Sequence, residues 1–122
     1  MHTLMIVDDS LIIRNRILRI AKDPRMPAVE VVGTARDGEE ALAIAGRHRP
    51  DLVTMDLTMP NMDGAACIEA LAAMLPRARI LVVSALSDKA TALKAMKKGA
   101  HGFINKPFGD AALVEAFGEL VR

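Results

Sequence analysis

The stretch LVTMDLTMPNMDG, residues 52–64, decides how the chain is built. Leu52 to Asp56 has the length and the apolar, β-branched content of a buried strand. Met59, Pro60, Asn61, Asp63 and Gly64 follow at once and force the backbone to turn. One carboxylate, Asp56, is thereby carried to the C-terminal end of a strand, where it is exposed to chemistry.

Outward from this stretch the same alternation repeats. Upstream, Asp37-Gly38 and EEALAIAGRHR read as a helix ending near His48 and stopped by Pro50. Before it, Val29 to Ala35 reads as a strand. Ser10 caps a helix from Leu11 to about Lys22, with Ile13, Ile17, Ile20 and Ala21 on one face and Arg14, Asn15, Arg19 and Lys22 toward water. Thr3 to Val7 is the first strand. Downstream, Asp63 or Gly64 opens a helix through Leu75, closed by Pro76. Ile80 to Ser84 is a strand, Asp88 to Lys98 a helix with Gly99 past its end, Gly102 to Asn105 a short strand and Asp110 to Val121 a last helix. Five strands alternating with five helices predict an α/β sandwich of parallel strands joined by right-handed crossovers.

Composition agrees. Hydrophobic residues make up 52% of 122 residues, yet there are three Phe and no Trp or Tyr, so the core must be aliphatic. This length suits one domain. A net charge of +1 supplies no general field for nucleic acid or an anionic membrane. The single cysteine, Cys67, excludes an internal disulfide and a cysteine-based zinc site. The opening MHTLMIVDDS is neither a signal peptide nor a membrane span, and a cytoplasmic location is the expectation.

In open parallel sheets ligands bind beyond the carboxyl ends of the strands. The residues expected there are Asp8 and Asp9, Asp56, Ser84 and Lys106. Three crowded carboxylates repel unless a cation compensates, which predicts a divalent metal. Oxygen ligands suit Mg²⁺, or Mn²⁺. With Ser84 as a donor and Lys106 as a charge, the set describes a phosphoryl site in which a carboxylate is the nucleophile. Neutralising Asp8 should then stabilise the metal-free fold.

The motifs IVDDS, VTMDLTMPNMDG, ILVVSA and INKPF, in this order from Leu4 to about Leu120, resemble the receiver domains of two-component response regulators. The resemblance implies a flavodoxin-like doubly wound sheet of order 2-1-3-4-5. It implies that Asp56 accepts phosphate from a histidine kinase or phosphotransfer protein. Asp9, Asp56 and the backbone carbonyl of Thr58 would ligate Mg²⁺ directly, and Asp8 through a water. Lys106 would pair with the phosphate, Ser84 would move to hydrogen-bond it, and Phe103 would be the aromatic switch. The Lys106–Pro107 bond is commonly cis in such domains. An output protein would read the face of the fourth helix, fifth strand and last helix, with the chain a monomer or a phosphorylation-dependent dimer. Thr58 and Leu86 occupy the positions that tune phosphoryl lifetime, and an apolar Leu86 implies a slow decay. Asn105 departs from an apolar pattern.

Other readings are plainer. Asp63 is a helix cap; Cys67 and the methionines pack; His2, His48 and His101 form no ligand set. Lys89, Lys94, Lys97 and Lys98 make a solvated stripe that could also border the output face. With no effector domain expected after Arg122, the chain should act by binding, as a single-domain regulator or as a receiver excised from a longer one. The enzymatic rival is a Mg²⁺-dependent phosphohydrolase with an aspartyl-phosphate intermediate; the haloacid dehalogenase type wants a second acid where Thr58 stands. A flavin carrier of the same fold would have its phosphate repelled by Asp8 and Asp9.

Overall fold

Strand and helix alternate along the chain as β1 (His2–Val7), α1 (Leu11–Ile20), β2 (Val29–Ala35), α2 (Gly38–His48), β3 (Leu52–Met55), α3 (Gly64–Met74), β4 (Arg79–Ser84), α4 (Lys89–Lys98), β5 (Gly102–Asn105) and α5 (Asp110–Leu120). The computed structural model describes residues 1–86 and 88–122. All five strands are parallel in the order β2-β1-β3-β4-β5, as the sequence reading expects. No helix among the described residues is long and apolar enough to cross a membrane.

Strand alternation sorts the side chains into two layers. Leu4 and Ile6 of β1, Leu52 of β3, and Leu81 and Val83 of β4 face α1 and α5, meeting Ile17, Ile20, Leu113 and Phe117. Met5, Val7, Val53, Met55, Ile80 and Val82 face α2, α3 and α4, meeting Ala41, Ile44, Ile68, Leu71 and Ala95. The three central strands are covered on both faces, which is why their sequences run nearly apolar throughout. The core is aliphatic except for Phe108 and Phe117.

Element ends differ from expectation by a residue or two, for local reasons. The first helix stops at Ile20, because Lys22 and Asp23 instead donate to Arg19 and Ile20 carbonyls three residues back, ahead of Pro24. Pairing extends β1 to His2, whose N–H donates to the Ala28 carbonyl at 3.1 Å. Along β1 and β2 the register slips between Leu4 and Met5, passing over Val32. Asp56 lies one residue beyond β3, its N–H held by the Val7 carbonyl at 2.9 Å. Helix N-termini and strand C-termini share one end of the sheet, and there Ser10, Asp37 and Asp63 cap α1, α2 and α3 by accepting backbone N–H groups.

Candidate functional site

Beyond the carboxyl ends of β1 and β3 three acids converge. Asp8, Asp9 and Asp56 each offer a carboxylate oxygen within 4.8 Å of the others'. Asp8 and Asp56 are buried, whereas Asp9 is exposed. Asp8 follows the last residue of β1, and its Oδ1 accepts the Ser10 N–H at 2.9 Å, so the residue that begins α1 also orients the acid. Asp56 Oδ1 accepts the Thr58 N–H at 3.3 Å, which folds the turn back onto the carboxylate. Lys106, just past β5, reaches across with Nζ 2.8 Å from Asp8 Oδ2 and 3.5 Å from Asp56 Oδ1. Lys106–Pro107 is cis, as expected.

Burial and the Asp8 charge, in that order, push the Asp56 carboxyl up to about 6 from 3.8; the Lys106 charge and the Thr58 N–H pull it part of the way back. Burial opposes the Lys106 charge, but the close contact with Asp8 and the charges of the two carboxylates outweigh it and raise the ammonium above its ordinary range. One cation is therefore shared by two buried acids. Asp8 Oδ2 touches that cation without an aligned hydrogen bond, and its position leaves a lone pair for a further positive partner. Neutralising Asp8, expected to stabilise the metal-free fold, would relieve its repulsion of Asp56 and would also take from Lys106 its nearest carboxylate.

Ser84, at the end of β4, is fully buried, and its Oγ accepts the Leu86 N–H at 3.0 Å. Phe103, in β5, is half-buried against the layer that faces α2, α3 and α4. Thr58 is exposed on the turn. Leu86 is 46% exposed and lines a groove of about 300 Å³ with Leu57, Asp63 and Lys94. The chemistry available to this constellation is nucleophilic attack by a carboxylate whose charge is balanced by cations.

Comparison with known proteins bears on which chemistry this is. The family model described as "Response regulator receiver domain" matches residues 4–118. The chain belongs to that family. It is 40% identical to the chemotaxis protein CheY of Listeria monocytogenes over 116 residues, covering 95% of each chain. To the CheY of Thermotoga maritima it is 38% identical, covering 97% of this chain and 96% of that one. Among solved structures, a CheX–CheY–BeF3–Mg complex from Borrelia burgdorferi superposes with a TM-score of 0.92 at 31% identity, over 99% of this chain and 90% of that one.

Receiver domains bind Mg²⁺ at an acidic cluster of this kind, and the residues of this receiver fit the ion. Hard oxygen donors, two of them on buried carboxylates that share one ammonium, are what a small divalent cation requires.

Several contributors to the receiver's site had no clear signal in sequence. Arg14, expected to face water, is half-buried and donates to the Asp8 carbonyl at 2.6 Å. Asn61, in left-handed backbone at φ 73°, donates from Nδ2 to Asp37 Oδ2 at 3.1 Å and so ties the turn after Asp56 to the start of α2. Gly64 packs its bare Cα against the backbone of Asp56 and Leu57. Its place after Asp63 in a turn was the only hint. His101, expected to have no role, accepts the Ile80 N–H on Nδ1 at 3.1 Å, a structural task at the opposite end of the sheet.

Proposed function

We propose that this receiver takes a phosphoryl group onto Asp56 from a phosphohistidine of a histidine kinase or phosphotransfer protein, and that the modified chain presents an altered binding face. The carrying observation is the convergence of three carboxylates with Lys106 in contact with two of them. An Asp56 Oδ atom forms the new bond to phosphorus while the P–N bond breaks. Its electron pair returns to the imidazole, which then takes up a proton. Bound Mg²⁺, or Mn²⁺, would neutralise charge on the transferring group. Asp9, Asp56 and the Thr58 carbonyl would hold the ion, with Asp8 acting through a water. Lys106 would turn from Asp56 to the phosphoryl oxygens while keeping Asp8.

Ser84 supplies a route from site to surface. Its hydroxyl holds the Leu86 N–H, so a Ser84 that swings toward phosphate must release the start of the segment leading to α4. Phe103, half-buried against the layer that faces α2, α3 and α4, would turn inward and alter the face formed by α4, β5 and α5. The CheY of Borrelia burgdorferi forms a complex with another protein, CheX; for this chain an output protein is the expected reader of the altered face, with the chain acting alone in the cytoplasm or as the receiver of a larger regulator.

Incubation with acetyl phosphate and Mg²⁺ tests the assignment by intact mass. One labile phosphoryl group should appear and be absent from Asp56→Asn; steady phosphate release over many turnovers would instead support the hydrolase. The same preparation reports lifetime. Leu86→Glu, which places a water-orienting carboxylate at the site's rim, should shorten the phosphoryl half-life severalfold, and an unchanged or longer half-life would remove Leu86 from the tuning role.

A further inference from the structure

The end of the sheet away from Asp56 carries the opposite charge. Helices that run antiparallel to the strands bring their C-termini here, and α2 ends with Arg47, His48 and the left-handed Arg49 at φ 44°. Arg77 joins them from the turn before β4. Between these segments lies a groove of about 400 Å³ whose walls include Arg49 and Arg77 and whose floor includes Pro50, Leu75 and Ala78. A second groove of about 220 Å³ meets the first at Arg77 and Asp51.

Arg49 and Arg77 are exposed, and among the described residues no acid pairs with either. Asp51, the acid in the wall, accepts the Thr3 N–H at 2.9 Å and the Thr3 hydroxyl at 3.2 Å through Oδ2 and keeps its charge, so the two guanidiniums leave the groove with an excess of positive charge. Basic residues at helix C-termini complement the helix dipole, which accounts for Arg47 and His48. Arg49 is the C-cap of α2 and Arg77 stands two residues past the C-cap of α3, so the dipole bears on both, but it does not by itself set two guanidiniums on one apolar groove. Guanidiniums beside buried Leu75 and Ala78 match a ligand that offers carboxylates next to an apolar side chain.

We propose that this pole is a docking site for an acidic segment of a partner protein, its carboxylates taken by Arg49 and Arg77 and an adjacent apolar side chain by the floor of the groove. Nucleic acid fits less well. Net charge is only +1 and the groove wall has no aromatic ring on which a base could stack. Because the groove lies across the sheet from Asp56, such a partner could stay bound while the phosphorylated face is read by another.

The test is an NMR titration of the ¹⁵N-labelled chain with a capped octapeptide of alternating glutamate and leucine, with its glutamine counterpart, and with a short oligothymidylate. Saturable shifts should centre on the Asp51, Arg77 and Ala78 amides, and the glutamine peptide should bind about tenfold more weakly or worse. Arg49→Gln with Arg77→Gln, both at exposed positions, should abolish those shifts while phosphorylation by acetyl phosphate is retained. No shift at this pole at millimolar peptide, equal binding of the glutamine peptide, shifts that survive the double substitution, or tighter binding of the oligothymidylate would each overturn the proposal.

Discussion

Asp56 is a carboxylate held in a place that disfavours its charge. Its folded pKa of about 6 stands above the unfolded value of 3.8. Between these values the folded chain binds the proton more tightly than the unfolded chain does. The metal-free protein should therefore be most favoured by this group below about pH 4 and lose stability as pH rises to about 6, by on the order of 3 kcal/mol. Asp56→Asn removes that dependence. Its melting temperature in chelator should exceed the parent's near neutral pH and approach the parent's near pH 4, and a parent curve parallel to the variant's would show that burial does not burden Asp56. Asp8 makes a less clean probe, since its removal relieves Asp56 and at the same time deprives Lys106 of a contact at 2.8 Å.

At the scale of elements, the turn after β3 and the first turn of α3 form one unit with Asp56. A Cβ on Gly64 would stand 2.5 Å from Leu57 Cα and 2.7 Å from the Asp56 carbonyl oxygen, both backbone atoms that cannot step aside. Gly64→Ala must shift α3 or the acid's own segment. It should cost about 2 kcal/mol or more and slow phosphorylation by acetyl phosphate. Gly118, inside α5, has nothing within 4 Å of its Cβ position. Gly118→Ala should stabilise the fold by about 0.5–1 kcal/mol and leave phosphorylation unchanged. Chemical denaturation of the two variants separates close approach from helix propensity, and equal effects would refute the steric account of Gly64. The caps belong to this scale too. Asp63 was legible as a cap in sequence, but Asp37 gained its second bond, from Asn61, only when the turn after Asp56 folded over it.

Across the whole molecule, one topology makes two poles. Parallel strands with helical returns place every helix N-terminus beside the strand ends that carry Asp8, Asp9 and Asp56, and every helix C-terminus at the other edge of the sheet. A cation bound at the acidic pole stabilises the fold as a whole, because the unfolded chain does not gather the three carboxylates. Mg²⁺ at a hundredfold excess over its Kd should add about 2.7 kcal/mol to unfolding. Asp9→Asn, which removes the exposed carboxylate of the cluster without disturbing the Lys106 contacts, should lose most of that gain while keeping nearly the parent's metal-free stability. Calorimetry with and without Mg²⁺ decides this, and an equal Mg²⁺ gain in the variant would take Asp9 out of the ligand set.

Sequence alone determined the alternation of elements, because strand and helix periods, caps and proline stops are local properties of the chain. It also determined that Asp8, Asp9, Asp56 and Lys106 meet, since parallel strands bring every strand C-terminus to one side of the sheet. Which charge sits against which was settled only by tertiary structure. Lys106 prefers Asp8 to Asp56, Arg14 turns inward to the Asp8 carbonyl, and Arg49 and Arg77 share a groove. These depend on distances of an ångström or two between side chains from separate elements, and no spacing along the chain encodes them. The reading of Asp56 as a nucleophile came from the residues at the other strand ends and from the resemblance to receiver domains; its raised pKa came first from how completely the fold buries it and then from the Asp8 charge beside it.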